Sequence, residues 1–327
     1  MAALFVLLPL LAAGCGSQQP PAPPAQPPVP LHLDPACSVA PSAGLVWLVE
    51  AKPRAIAQIP DLIPAIALVL PEERLQTFTV AHGVDPRQTQ DLCIARYREA
   101  VLTIARMPLD GRRVEAAFES RSIKEPRRTL LAANPRVLRM TGEIAGEPQR
   151  LTIFGNEAVA LEQGKPGPLR AAEAFAFGRL KRSAPALRGA ALARAAEVLG
   201  AAQVRVFAPG PFEGEAANGL GGLLKVATAV AASATWAGSR ADIAVRVVVT
   251  GAWGDDASAA SERLGAAVHV LAESPLGHLF GLDRPVHAPS VHVERDALVL
   301  DATIDGMALA RGLHHAVDAE VAEIMRR

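Results

Sequence analysis

Between residues 136 and 164 apolar side chains recur at alternate positions, and the runs are broken by Gly142, Gly146, Gly155 and Asn156. A strand turns successive side chains to opposite faces, so period-two patterning cut by turn formers predicts a β-meander. The same signal recurs along the chain. Residues 45–49 read as a short buried strand and 203–207 as another. Residues 93–107 predict a hairpin turning near Arg98 and Glu99, and 243–250 alternate. Residues 291–304 predict a second hairpin, turning at Arg295 and Asp296.

Helical spacing fills the gaps. The region after the first strand is divided by Pro53, Pro60, Pro64 and Pro71, and its last piece, 70–83, ends at a glycine stop. Residues 111–121 predict a helix, and helical spacing resumes at Leu169. Leu187, Ala191, Ala195 and Val198 share one helical face. In 219–237, Leu220, Leu223, Leu224, Ala227, Val230, Ala231 and Ala234 also fall on one helical stripe, which predicts a buried helix rather than a membrane span. Asp256 is placed to cap a helix over 257–274. Asp305 is placed to cap a final helix whose apolar face is Leu309, Leu313, Val317, Val321 and Ile324. These elements define an α+β class: two lobes of antiparallel sheet with packed helices, over residues 31–165 and 166–327. Hairpin, Asp110-Gly111, helix is echoed by hairpin, Asp305-Gly306, helix, which suggests a duplicated hairpin–helix unit.

The first thirty residues are of another kind. Residues 2–11 are an apolar run of ten, far short of the ~20 residues a membrane span needs. They match the apolar region of an export signal. Leu11-Ala12-Ala13-Gly14-Cys15 then resembles the lipobox of bacterial lipoproteins. That resemblance implies removal of residues 1–14 as a signal peptide and lipidation of Cys15. It also implies an outer-membrane lipoprotein with its body facing the periplasm, since Gly16 rather than Asp follows the cysteine. Seven prolines crowd into 20–30. Such a segment favours polyproline II, so thirteen residues reach roughly 40 Å, which makes 15–30 a lipid anchor and stiff tether. The overall plan resembles uncharacterised bacterial lipoproteins with α+β bodies.

If Cys15 is lipidated, Cys37 and Cys93 remain as a pair in an oxidising compartment, and a disulfide between them is expected. The alternative is two free buried thiols.

Composition excludes some classes. The 33 basic and 33 acidic residues cancel, whereas a nucleic-acid partner needs a basic footprint. One Tyr and three Trp leave few stacking surfaces for sugars. One stretch is locally basic: Arg112, Arg113, Arg121, Lys124, Arg127, Arg128, Arg136 and Arg139 face only Glu115, Glu119 and Glu125. It reads as a solvated face or as a contact for anionic groups.

No phosphate loop, His-Glu-x-x-His, Gly-x-Ser-x-Gly or Cys-x-x-Cys string occurs. Six of eight histidines lie at or after position 269. His314 and Asp318 share an i, i+4 spacing but supply only two ligands, and His314 and His315 diverge by ~100° on a helix. No metal, cofactor or catalytic residue is expected. The sequence therefore points to a membrane-anchored, non-enzymatic lipoprotein that binds an envelope protein partner or serves as a scaffold. The alternative is a periplasmic carrier of a lipid or other apolar ligand. An empty apolar groove of roughly several hundred Å³ favours the carrier. A solid core with an exposed apolar patch favours the scaffold.

Overall fold

The computed structural model describes residues 28–180, 183–238 and 240–324, the last seven of these as backbone alone. In chain order the elements are β1 (Leu45–Ala51), α1 (Pro53–Ala57), α2 (Ile63–Val69), α3 (Glu72–His82), β2 (Asp91–Tyr97), β3 (Ala100–Arg106) and α4 (Gly111–Arg121). The meander β4 (Arg127–Ala133), β5 (Arg136–Ile144), β6 (Glu147–Phe154) and β7 (Ala158–Gly164) follows, then α5 (Pro168–Ala176) and α6 (Ala190–Leu199). The second half holds β8 (Val204–Pro209), β9 (Ala227–Trp236), β10 (Asp242–Gly251), α7 (Ala257–Glu273), α8 (Pro275–Leu279), β11 (His287–Glu294), β12 (Ala297–Asp305) and α9 (Gly306–Ile324).

All twelve strands of the described residues join one antiparallel sheet in the order β11-β12-β10-β9-β8-β1-β2-β3-β7-β6-β5-β4. The chain is thus an α+β protein. Its two sets of strands, β1–β7 and β8–β12, meet edge to edge where Leu48 pairs with Phe207. The connectivity repeats on either side of that seam. Setting aside the extra hairpin β4–β5 that follows α4, three strands, a helix, a returning pair and a helix occur as β1-β2-β3-α4-β6-β7-α5 and again as β8-β9-β10-α7-β11-β12-α9. In each half the last strand returns beside the third, β7 on β3 and β12 on β10. By topology α4 therefore corresponds to α7, whereas the Asp-Gly echo in the sequence pairs α4 with α9. Both echoed aspartates do cap: Asp110 accepts from the Arg112 N–H at 3.0 Å and Asp305 from the Met307 N–H at 2.7 Å. The Asp256 side chain makes no capping bond to α7.

Period-two side chains divide the sheet into two faces. On one, Leu48, Leu102, Ile104, Phe207, Ala231 and Val248 are buried with Leu169 and Ala172 of α5 and Leu192 and Ala195 of α6. On the other, α4 covers Ala105, Leu151 and Val159 at one end, and α7 covers Val249, Leu298 and Leu300 at the other. Buried carboxylates tie helices to strands. Glu162 is fully buried, ion-paired to Arg150 at 3.0 Å, and accepts the N–H groups of Gly167 (3.1 Å) and Leu169 (2.8 Å), which open α5. Glu173, on α5, reaches Arg139 of β5 at 2.8 Å and the Thr152 hydroxyl of β6 at 2.6 Å. Ahead of β1, the Tyr97 hydroxyl donates to the Pro41 carbonyl at 2.9 Å.

The outer strands are irregular. β4 shifts register between Leu130 and Ala132, and β11 between His287 and Ser290, where Pro289 interrupts it.

Besides the Asp256 cap, two sequence expectations are overturned. Residues 219–237 are not a helix. Gly221 and Gly222 adopt φ of +67° and +84°, ending a short 3-10 turn, and 227–236 run as β9. The alanines there fit a period of two as well as 3.6, and Thr228, Val230 and Thr235 add β-branching that suits a strand. The expected face of α9 also differs. Leu313 and Val317 are exposed, while Gly306, Ala310 and Gly312 are buried. A Cβ at position 312 would lie 2.0 Å from the Leu279 carbonyl oxygen. The helix approaches α8 through small residues, so its larger side chains turn outward.

Candidate ligand groove

The floor of a groove is built by β2, β3, β7 and β6, on the face shared with α4. Cross-strand pairing sets Leu92 opposite Ala105, Ile94 opposite Thr103, and Thr103 opposite Leu161. One wall is α4, with Val114, and the other is α3, with Phe78 and His82. The cavity between them measures about 390 Å³. A second apolar cavity of about 460 Å³ adjoins it, lined by Ile56, Ile63, Ile66, Leu70 and Leu75 of α1–α3, and the two share Pro53 and Pro86.

The groove exists because α3 stops where it does. Gly83 ends the helix at φ +74°, and a Cβ there would sit 2.9 Å from the Arg113 carbonyl oxygen. Glycine is thus required both for the left-handed cap and for the close approach of α3 to α4. Four residues apart on α3, Phe78 and His82 stack with ring centroids 4.2 Å apart. Burial, together with the neighbouring Arg121 guanidinium, pushes the His82 imidazole down to about 4, so it is neutral near pH 7.

Among the described residues, His82 and Arg121 are the only titratable side chains lining this cavity. Arg121, the last residue of α4, is half-buried, and its Nε donates to the Ala117 carbonyl at 3.1 Å. Burial lowers its pKa. Among the described residues no carboxylate pairs with it. Its basic neighbours in sequence behave otherwise: Arg128 pairs with Glu119, Arg136 with Glu115 and Arg139 with Glu173. Three of the eight basic residues in that stretch are therefore neutralised pairwise.

Cys37 and Cys93 are joined by a disulfide, with Cα atoms 5.1 Å apart and both residues fully buried. Cys15 lies outside the described residues, as do the signal and most of the tether. The late histidines do not converge. His269 meets Glu273 at 3.1 Å, His278 meets Asp283 at 3.0 Å, and His292 lies 3.9 Å from Glu294. His314 and His315 lie side by side with tilted rings, centroids 6.1 Å apart, and the side chain of Asp318 lies outside the described residues. Among the described residues no three His, Cys, Asp or Glu side chains are grouped to hold a metal. No described helix is long and apolar enough to cross a membrane.

The groove itself went unread in the sequence. Its signals were the stacked pair Phe78 and His82 and the alternation of Leu92 with Ile94, but the α3–α4 spacing that opens it is not local.

The fold and the groove define an α+β protein with a single wide antiparallel sheet and an apolar cleft on one face. No family model matches the chain, and no curated protein matches its sequence. Among solved structures it is similar to TP0453. Crystal form III of that protein is 13% identical, with a TM-score of 0.48 over 89% of this chain and 99% of that one. Crystal form I is 15% identical, with a TM-score of 0.46 over 87% and 98%. Neither likeness bears on function.

Proposed function

We propose that this chain is an envelope lipoprotein, anchored through Cys15, whose body carries a lipid or other apolar ligand and performs no catalysis. The observation that supports carriage is the cavity of about 390 Å³ over β2, β3, β6 and β7, within the ~300–1,000 Å³ typical of ligand sites. Its lining is mainly apolar, with Thr89, Thr103, Gln163, His82 and Arg121 as the polar members, and so suits hydrocarbon. Lipobox and tether support the anchor and an outer-membrane location with the body in the periplasm.

A second reading has its own observation. Val270, Leu271, Leu276, Leu279 and Val286 are exposed within one stretch of chain. Clustered apolar exposure marks protein contacts, so this stretch suits an envelope partner or scaffold role.

The test is to purify the full chain from its native membranes and extract bound lipid for mass spectrometry, beside a Thr103→Trp variant that fills the groove. The expected result is lipid recovered from the parent and lost from the variant. A Cys15→Ser chain should leave the membrane fraction and take up no labelled fatty acid. If no lipid is bound and only Leu276→Glu disturbs co-purifying partners, the scaffold reading replaces the carrier.

A further inference from the structure

Resting on the carrier reading, we infer that the groove takes an amphiphile with one hydrocarbon chain and one anionic head, a long-chain carboxylate, whose head is held by Arg121.

The argument is one of charge complementarity. Most of the cavity wall is hydrocarbon, from Leu92, Ile94, Ala105, Leu151, Val159 and Leu161, with Thr89, Thr103 and Gln163 as its uncharged polar members. A guanidinium in such a setting is costly unless an anion accepts its hydrogen bonds. Arg121 uses its Nε on the Ala117 carbonyl, lines the cavity, and has no carboxylate partner among the described residues. Elsewhere in the chain, half-buried arginines of the sheet are matched: Arg205 with Glu50, Arg246 with Asp301, Arg139 with Glu173. Arg121, on the wall of the cavity, departs from that habit. Guanidinium nitrogens form a planar fork that fits a carboxylate with two parallel bonds. Beside it stands His82, neutral near pH 7, so the groove presents one positive charge rather than two. A single charge matches a single carboxylate. The volume, near the lower end for ligand sites, suits one chain rather than a two-chain lipid.

The experiment uses the full chain as the Cys15→Ser variant, which carries no acyl group of its own, with calorimetric titration at pH 7.5. The probes are laurate, dodecanol and dodecyltrimethylammonium. Laurate should bind one-to-one, and at least about tenfold more tightly than dodecanol, the worth of a charge-assisted hydrogen bond. The cationic probe should bind more weakly than either. Arg121→Gln should lower laurate affinity to that of dodecanol while leaving dodecanol unchanged. Arg121→Lys should retain part of the preference, which separates charge from helix packing. Equal binding of laurate and dodecanol, both insensitive to Arg121→Gln, would overturn the head-group assignment and leave the carrier reading standing. Failure of every probe to bind would overturn both.

Discussion

Removing the link between Cys37 and Cys93 is the perturbation whose size follows most directly from the structure. The two residues are 56 apart in sequence. Cross-linking a loop of that length withdraws loop-closure entropy from the unfolded chain worth about 4 kcal/mol at 25 °C. The link joins the segment ahead of β1 to β2, close to the centre of the sheet, so the unlinked unfolded chain regains freedom over β1 and α1–α3 together. Two forms isolate the effect. Reduced, alkylation-free parent keeps both sulfur atoms, and Cys37→Ala/Cys93→Ala removes them and adds small voids, since both residues are fully buried. Equilibrium urea unfolding should show the reduced parent about 4 kcal/mol less stable, and the double variant slightly less stable again. At about 2 °C per kcal/mol for a domain of this size, melting should fall by roughly 8 °C. Because the effect acts on the unfolded state, the unlinked forms should also show a larger urea slope. A loss below about 1 kcal/mol with both thiols confirmed free would refute the entropic account, and so would an unchanged slope with the full loss.

Two further outcomes are expected. Glu162→Gln leaves Arg150 buried without its counter-charge and turns an amide donor toward either Arg150 or the N–H groups of Gly167 and Leu169; urea unfolding should register a loss of roughly 3–5 kcal/mol. His82 titrates near 4 in the folded chain against an ordinary value of 6.5, so folding favours its neutral form. The resulting penalty is absent above about pH 6.5, grows as pH falls, and is complete below about pH 4. Melting curves across that window should show a smaller acid loss for His82→Gln than for the parent, and parallel curves would remove His82 as the cause.

Much of the fold could be read where the local pattern allowed a single interpretation. Helix α4 runs over the expected 111–121 because Asp110 caps it and its apolar positions have no competing period. The turn at Arg295 and Asp296 takes φ of +49° and +62°, as a tight two-residue hairpin turn demands. Strand β4 gave no signal because it lies at the sheet edge with most of its side chains exposed on both faces, so nothing alternates. β9 was misread because alanine satisfies either period, and its neighbours β8 and β10, not its own residues, decided the outcome. The α9 face was misjudged because backbone proximity at Gly312 outweighed the apolar stripe. The groove was least legible of all. Its lining comes from seven helices and strands and the loop ahead of β2, and its one informative charge, Arg121, was hidden among basic residues, three of which have carboxylate partners visible only in three dimensions.

The irregular outer strands have a consequence for the company this protein keeps. A twelve-stranded ribbon offers only two rims, and each is a long row of backbone donors and acceptors on which another copy could continue the ladder. At one rim, Pro289 deletes a donor and the register slips beside it. At the other, the slip between Leu130 and Ala132 interrupts the ladder, and Arg127 brings a like charge against any second copy arriving there. Both rims thus carry features that discourage another copy from continuing the ladder, which favours a sheet that stays finite where many copies crowd together.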